Sequence, residues 1–452
     1  MNYLDFLQSK QERTVHNPVE KKGEISDKLF PFQRDCVEFL LSIGRGAAFL
    51  DTGLGKTIIQ CEWARHIEGR VLIIAPLAVA NQTVQQARDL LGLDIAYSKD
   101  GTVSGQITIT NYERVDKFDC DQFTGVVLDE SSILKGFMGK TKQLLCERFE
   151  NTPYKLACTA TPAPNDYMEL GNHSEFLGVM KGTEMLSRWF INDPSKVGSY
   201  KLKGHAVKPF WNWVSSWAAC VSKPSDLGYP DDGYDLPPLK IKTVTVQTDI
   251  KPSSEEGFLF DMPVTNATNL HKSKRDTVAD RVKLAADLVN GNDEPWLIWV
   301  ESNEESKQMT AAIPDAIEVT GSDSADVKEA RLMAFSDGTA RVLVSKTKIC
   351  GFGMNWQHCR NIIFASISYS YEKFYQAVRR SWRFGQKYPV NVTVMISDSE
   401  IPVWRIVEEK ATNHGEMKTH MKYAVFKKGE GKQAVNYEGV SEITIPEWLA
   451  TV

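Results

Sequence analysis

Three stretches of this chain hold residue types whose spacing could do phosphate chemistry. The first, AAFLDTGLGKTIIQCEWARHI from Ala47, sets an apolar run, a glycine-bearing turn and a helix-compatible segment in succession. That order aims several backbone N–H groups and a helix N-terminus at one spot, where polyphosphate binds. Thr52, Gly53, Leu54 and Gly55 make the turn, and the two glycines let the backbone fold tightly around phosphates. Lys56 would reach the β- and γ-phosphates of a nucleoside triphosphate, and Thr57 would ligate magnesium. A strict P-loop has glycine where Leu50 stands here, so the loop departs from the ordinary kinase type.

The second stretch is VVLDESSILKG from Val126, an apolar run ending in an acidic pair. Alone, Asp129 and Glu130 would be solvated surface charges. Beside a phosphate cradle they acquire roles: an aspartate at a strand end holds magnesium through water, and a neighbouring glutamate polarises the attacking water. The third stretch, FYQAVRRSWRFGQ from Phe374, offers planar guanidinium groups that can each meet two oxygens of a departing phosphoryl group. Three apart on a helix, Arg380 and Arg383 would share a face, while Arg379 would point elsewhere. The competing reading of RRSWR is a basic helix face, solvated or lying on nucleic acid.

The elements that must position these residues are readable as short apolar runs. GAAFL, RVLIIAP, QITITNY, GVVLDE and YKLACTATP come first, and after position 290 follow PWLIWVES, AIEVTG, ARVLVSKT, RNIIFASIS and NVTVMISD. Continuous β-branched runs separated by helix-compatible segments predict parallel sheets flanked by helices, hence two α/β domains in tandem. The length of 452 residues agrees, because single cores stop growing near ~250 to 300 residues. Between the two sets lies a segment with few strand-like runs, read as a mainly helical insertion on the first domain. Trp189, Trp211, Trp213 and Trp217 lie in it, read as core filler in preference to a base-stacking platform. It ends in KPSDLGYPDDGYDLPPL, dense in Pro, Gly and Asp, and the second domain opens around KIKTVTVQTDI.

Eight cysteines are scattered without a C-x-x-C pair or zinc-ligand spacing, and read as free thiols in a reducing cytosol. No apolar run approaches a membrane span, and the N-terminus has no apolar stretch behind a basic start. A net charge of −5 argues against a wholly basic coat, yet a local cleft suffices to grip a phosphate backbone.

With the phosphate loop and the acidic pair placed, the sequence resembles the superfamily 2 helicases and translocases, and within them the Swi/Snf-type group. DTGLGKT looks like that family's first motif, which also lacks the early glycine. LDESSILK looks like its second, with Ser131 and Ser132 where Ala-His or Ala-Asp is more familiar, a variant associated with small phage and prophage helicases. LFPFQRD is similar to the glutamine motif, which implies that Gln33, with Arg34 beside it, recognises adenine. IIAPLAVANQ and ITITNYERV look like motifs that touch a nucleic-acid backbone, with Pro76, Thr110 and Asn111 as contacts. CTATPAPN resembles the motif in which Thr159 and Thr161 couple hydrolysis to the nucleic-acid track. WLIWVESNEES looks like the fourth motif, with Ser302 as a further contact. SKTKICGFGMNWQHCRNIIF looks like the fifth, in which Gly351 and Gly353 permit close backbone approach, Gly353 near the nucleotide, and Thr347 and Asn355 face nucleic acid. FYQAVRRSWRFGQ matches the sixth, with Gln376, Arg380, Arg383 and Gln386 in register and Arg379 where the group usually has glycine.

The resemblance implies two tandem RecA-like P-loop domains with ATP and Mg2+ bound in the cleft between them. Its boundaries would be an N-terminal extension at 1–24, an ATP-binding domain at 25–164, the tryptophan-rich insertion and connector at 165–238, and the second RecA-like domain at 239–452. Catalysis would rest on Lys56, Glu130, Gln376, Arg380 and Arg383. The implied output is a monomeric motor on DNA, duplex favoured, in a bacterial host cytoplasm if phage-encoded, with any partner protein unidentified. Two alternatives share the ATP site: an RNA helicase, and an ATP-gated clamp with little turnover. A clamp has no need of Glu130 and both arginines, and an RNA helicase usually carries a sixth motif unlike RFGQ.

Overall fold

The computed structural model describes residues 16–77, 79–136, 139–193, 200–246, 274–350 and 354–426. They form two compact units, one taking the described residues up to Pro230 together with those from Glu416 onward, the other taking Asp231–Gly415.

The first unit opens with α1 (Pro31–Ile43), β1 (Arg45–Leu50), α2 (Lys56–His66), β2 (Val71–Ala75), α3 (Ala80–Leu91), β3 (Ile95–Tyr97), β4 (Ile107–Asn111) and β5 (Gly125–Asp129). It continues with α4 (Lys140–Arg148), β6 (Tyr154–Thr159), α5 (Leu170–Leu177), α6 (Gly182–Trp189), β7 (Phe190–Asn192), β8 (Tyr200–Leu202), α7 (Val207–Trp217) and β9 (Ala218–Val221). Seven strands pair in the order β3-β4-β2-β5-β6-β1-β9, all parallel. Strands such as VLIIA in β2 and GVVLD in β5 are buried at every residue, as a parallel sheet covered on both faces requires. Helix α1 begins on Pro31, whose missing N–H costs nothing there, and Gln33 reaches back to accept from the Phe30 N–H at 3.0 Å.

The segment between the two sets of strands holds α5, α6, α7 and an antiparallel β7–β8 ribbon. It also supplies β9, which lies parallel to β1 as the outermost strand of the sheet. The four-residue run AACV behind a tryptophan-rich helix was too short to read as a strand, yet all four residues are buried. Trp189, Trp211, Trp213 and Trp217 are buried with Phe210 in the same core cluster as Leu72, Val126 and Leu128. Met417 and Met421 pack into that cluster.

The second unit contains β10 (Leu239–Val246), α8 (Val278–Asn290), β11 (Trp296–Val300), α9 (Asn303–Ala312), β12 (Ala316–Val319), α10 (Ala325–Ser336) and β13 (Val342–Lys346). Then come α11 (Thr347–Cys350), β14 (Asn361–Phe364), α12 (Tyr371–Val378), β15 (Val390–Ser397) and the start of α13 (Ile401–Phe426). Its six strands run parallel in the order β10-β15-β14-β11-β13-β12. A separate core of Val282, Ala285, Ile298, Val344, Ile363 and Met395 fills it. Among the described residues the cysteines with placed side chains are free, and no helix is long and apolar enough to cross a membrane.

Candidate active site

Strands β5, β6 and β1 are neighbours in the first sheet, and because they are parallel their C-terminal ends share one edge. Those ends carry Asp129 and Glu130, Thr159, and the glycine-bearing loop. In open parallel α/β sheets this edge is where ligands bind.

The loop turns on Gly53 at φ 96° and Gly55 at φ 82°, and α2 starts at Lys56 with its first-turn N–H groups open to the loop. Lys56 Nζ donates to the Leu50 carbonyl at 2.9 Å and lies 3.4 Å from that of Asp51. Gln33 is buried, its amide nitrogen donating to the Leu54 carbonyl at 2.9 Å while its oxygen takes the Phe30 N–H. The glutamine therefore ties the start of α1 to the loop. Arg34, Thr52, Gly53 and Thr57 are half-buried around it. Phe30, 52% exposed, presents an aromatic ring beside Gln33. Lys418 Nζ sits 2.5 Å from Asp51 Oδ1 at the entrance to the loop.

Asp129 is 4% exposed, and burial, with the Glu130 charge second, pushes its carboxyl up to about 7 against the pull of Lys56. The buried Gln60 amide lies beside this carboxylate without reaching hydrogen-bond geometry, so both its polar atoms lack a partner. A hard divalent cation fits this donor set: a desolvated carboxylate on β5, the Thr57 hydroxyl on α2, and an unspent amide for its water shell. No group of three or more His, Cys, Asp or Glu side chains among the described residues could hold a metal, so phosphate oxygens and water would complete the coordination.

Glu130 has φ 56° and ψ 54°, the one positive φ outside glycine among the described residues. A left-handed conformation costs an L-residue roughly 1–2 kcal/mol and persists only where its surroundings impose it. Those surroundings are visible. Tyr112 donates its hydroxyl to the Asp129 carbonyl at 2.8 Å, and Thr159 directs its hydroxyl to Glu130 Oε2 at 3.4 Å. Ser131, fully buried, is 3.1 Å from His173 Nε2 on α5. Ser132 is buried as well. His173 belongs to no motif, and Tyr112, although within ITITNYERV, is linked to this turn only by a distance in three dimensions.

The residues expected to touch nucleic acid divide. Pro76 is half-buried, and Ser302 and Asn355 are exposed. Thr347 lines a shallow pocket with Glu301, Ser366, Ser368, Ser370 and Lys373 at the strand ends of the second sheet. Thr110, Asn111, Thr159 and Thr161 have no exposed surface. Thr110 donates to the Ser98 carbonyl at 2.9 Å, and Asn111 Oδ1 accepts from Tyr97 at 2.7 Å. The Thr110 and Asn111 side chains thus tie the end of β4 to Ser98 and Tyr97.

In the second unit the arginines do not lie on a helix face as expected. Helix α12 ends at Val378, and residues 379–385 form turns. Beyond the helix the Arg380 carbonyl accepts from the Trp356 N–H at 2.9 Å. Arg380 and Arg383 nonetheless converge, both within reach of the Met354 carbonyl, at 3.3 and 3.5 Å. Burial, then the neighbouring Arg379, lowers Arg383 to about 10, still cationic at neutral pH. Arg379 is held between the rings of Tyr375 and Trp382. Gln376 is buried one turn before Arg380. Gln386 closes the turns, donating to the Gln357 and Ser381 carbonyls. Gly351 and Gly353 lie outside the described residues.

Two wholly parallel sheets, the first carrying a phosphate-type loop and an acidic strand end on one edge, define the class: an α/β protein of tandem RecA-like type. Residues 280–385 match the helicase conserved C-terminal domain. The chain is similar to the DNA excision repair protein ERCC-6-like of Mus musculus, 26% identical over 200 residues, covering 36% of this chain and 16% of that protein; the Homo sapiens protein of that name matches equally. It is also similar to the DNA annealing helicase and endonuclease ZRANB3 of Homo sapiens, 20% identical over 470 residues, 91% of this chain and 41% of that protein. The chain thus spans less than half the length of these relatives. Together these comparisons support a likeness to the superfamily 2 helicases.

Proposed function

We propose that this chain is an ATP-driven motor on DNA, with duplex DNA the favoured track. The observation that carries the reading is the shared edge of β1, β6 and β5, which collects the loop, Thr159 and the Asp129–Glu130 pair. Adenine would lie against Phe30, with Gln33 exchanging its Leu54 bond for the base edge. The loop N–H groups and Lys56 would bind the phosphates, Lys56 leaving the Leu50 carbonyl to do so. Magnesium held by Thr57 and Asp129 would neutralise charge on the β- and γ-oxygens. Glu130 would take a proton from the attacking water, and Arg380 and Arg383 would meet the charge that spreads over the γ-phosphoryl oxygens. Because ATP has contacts to both units in this reading and its products have fewer, turnover would alternate their grip on a nucleic-acid strand.

The DNA relatives named above and the register Gln376, Arg380, Arg383, Gln386 favour DNA over RNA. The test is turnover of ATP with duplex DNA, single-stranded DNA, RNA or no polymer. Duplex DNA should stimulate most. Stimulation by RNA alone would overturn the choice of track, and the same low turnover in all four would leave a clamp.

A further inference from the structure

Helix α5 is fastened to the turn behind Glu130 at both ends. His173 Nε2 faces the Ser131 hydroxyl at 3.1 Å, and the neighbouring Asn172 donates to the Lys135 carbonyl at 3.1 Å. Ser131 and Lys135 are the first and last residues of the short 3₁₀ turn that follows Glu130. His173 is fully buried and also sets its ring edge to face against Phe49, at 5.2 Å, in the strand that leads into the phosphate loop. One imidazole therefore touches both chain segments that carry the proposed nucleotide chemistry.

Its protonation follows from its partners. His173 Nδ1 faces the Glu169 carbonyl at 3.4 Å, an atom that can only accept, so the ring proton belongs on Nδ1. Nε2 is then a bare acceptor and Ser131 is the donor. Burial lowers His173 to about 4, which keeps it neutral at working pH. The hydroxyl at position 131 has a specific use: alanine there would leave Nε2 a buried acceptor without a partner. The other neighbours of Glu130 hold its N-terminal flank, the Asp129 carbonyl, through Tyr112 and its carboxylate through Thr159.

We propose that His173 is a positioning residue for Glu130, fixing through Ser131 the left-handed turn that aims the carboxylate. This rests on the reading that Glu130 activates water for ATP hydrolysis. His173 is fully buried behind the turn, so its loss should slow the chemical step and spare ATP binding.

The test compares Ser131→Ala, His173→Leu, His173→Gln and the Ser131→Ala/His173→Leu double variant with wild type and Glu130→Gln. DNA-stimulated turnover and binding of a fluorescent ATP analogue are the readouts. Ser131→Ala and His173→Leu should each lower kcat about tenfold or more with KM for ATP nearly unchanged. The double variant should be no slower than the slower single one, and His173→Gln, which keeps an acceptor, should recover part of the rate. Additive losses, unchanged kcat in Ser131→Ala, or a loss confined to ATP binding would overturn the proposal. Should His173→Leu not fold, Ser131→Ala decides alone, since removing one hydroxyl opens no large cavity. Glu130→Gln separates the two readings: full activity there ends the Glu130 assignment, whereas its inactivity beside a wild-type Ser131→Ala ends only the role of His173.

Discussion

The Gln33 amide nitrogen donates to the Leu54 carbonyl at 2.9 Å, joining the first helix to the loop that would hold phosphate. The same amide leaves no room at the next residue: a Cβ on Gly55 would stand 2.3 Å from Gln33 Nε2, and Gly55 has φ 82°. Gly55→Ala should therefore displace Gln33 as well as strain the loop. The expected result is loss of ATP-analogue binding by more than tenfold, with Gln33→Ala a milder, several-fold loss. Equal binding by wild type and Gly55→Ala in a fluorescence titration would show that the loop is not the nucleotide site.

Glu130 bears a left-handed conformation that asparagine adopts more readily. Glu130→Asn should keep or raise the thermal midpoint, by up to about 1 kcal/mol of stability, while abolishing turnover. A marked drop in midpoint would mean that the carboxylate supports the fold instead of being tolerated by it.

Acid should destabilise the first unit in part through His173. Its folded value of about 4 lies below the ordinary 6.5, so the unfolded chain takes up a proton in that interval and the folded chain does not. Stability from this group is complete above about 6.5 and falls as the pH drops towards 4, by roughly 2 kcal/mol between pH 7 and 5. Asp129 acts the opposite way, since a raised carboxyl favours the folded state at low pH and that gain is lost as the pH rises towards 7. The difference between wild type and His173→Gln in urea midpoints at the two pH values isolates the histidine. Identical slopes in the two proteins would contradict its buried neutral state.

Arg383→Ala should leave ATP-analogue binding within a few-fold of wild type while turnover collapses, and Arg383→Lys should not rescue it, because a point charge cannot replace a planar fork. Loss of binding with loss of turnover would assign Arg383 to the fold, through its place beside the Met354 carbonyl.

Much of this architecture was legible because buried parallel strands are continuous apolar runs: RVLIIAP, GVVLDE, ARVLVSKT and NVTVMISD all became strands. Short elements were not, and β3 and β9 carry too few residues to show a pattern. The loop and the acidic pair were legible from glycine spacing and strand ends. His173 and Lys418 were not, nor was the part that Tyr112 plays within ITITNYERV, because each acts through one contact across many residues of chain, and a single histidine, tyrosine or lysine has no local signature. The arginine turn misled for a related reason: its Arg380 carbonyl pairs with the distant Trp356 N–H, which sequence periodicity does not register.

The most direct test of the central claim is steady-state ATP hydrolysis by wild type and Glu130→Gln, each with and without duplex DNA. The account predicts DNA-stimulated turnover in wild type and its loss by about a hundredfold or more in Glu130→Gln with ATP binding intact. Wild-type turnover no greater than that of Glu130→Gln in either condition would contradict it.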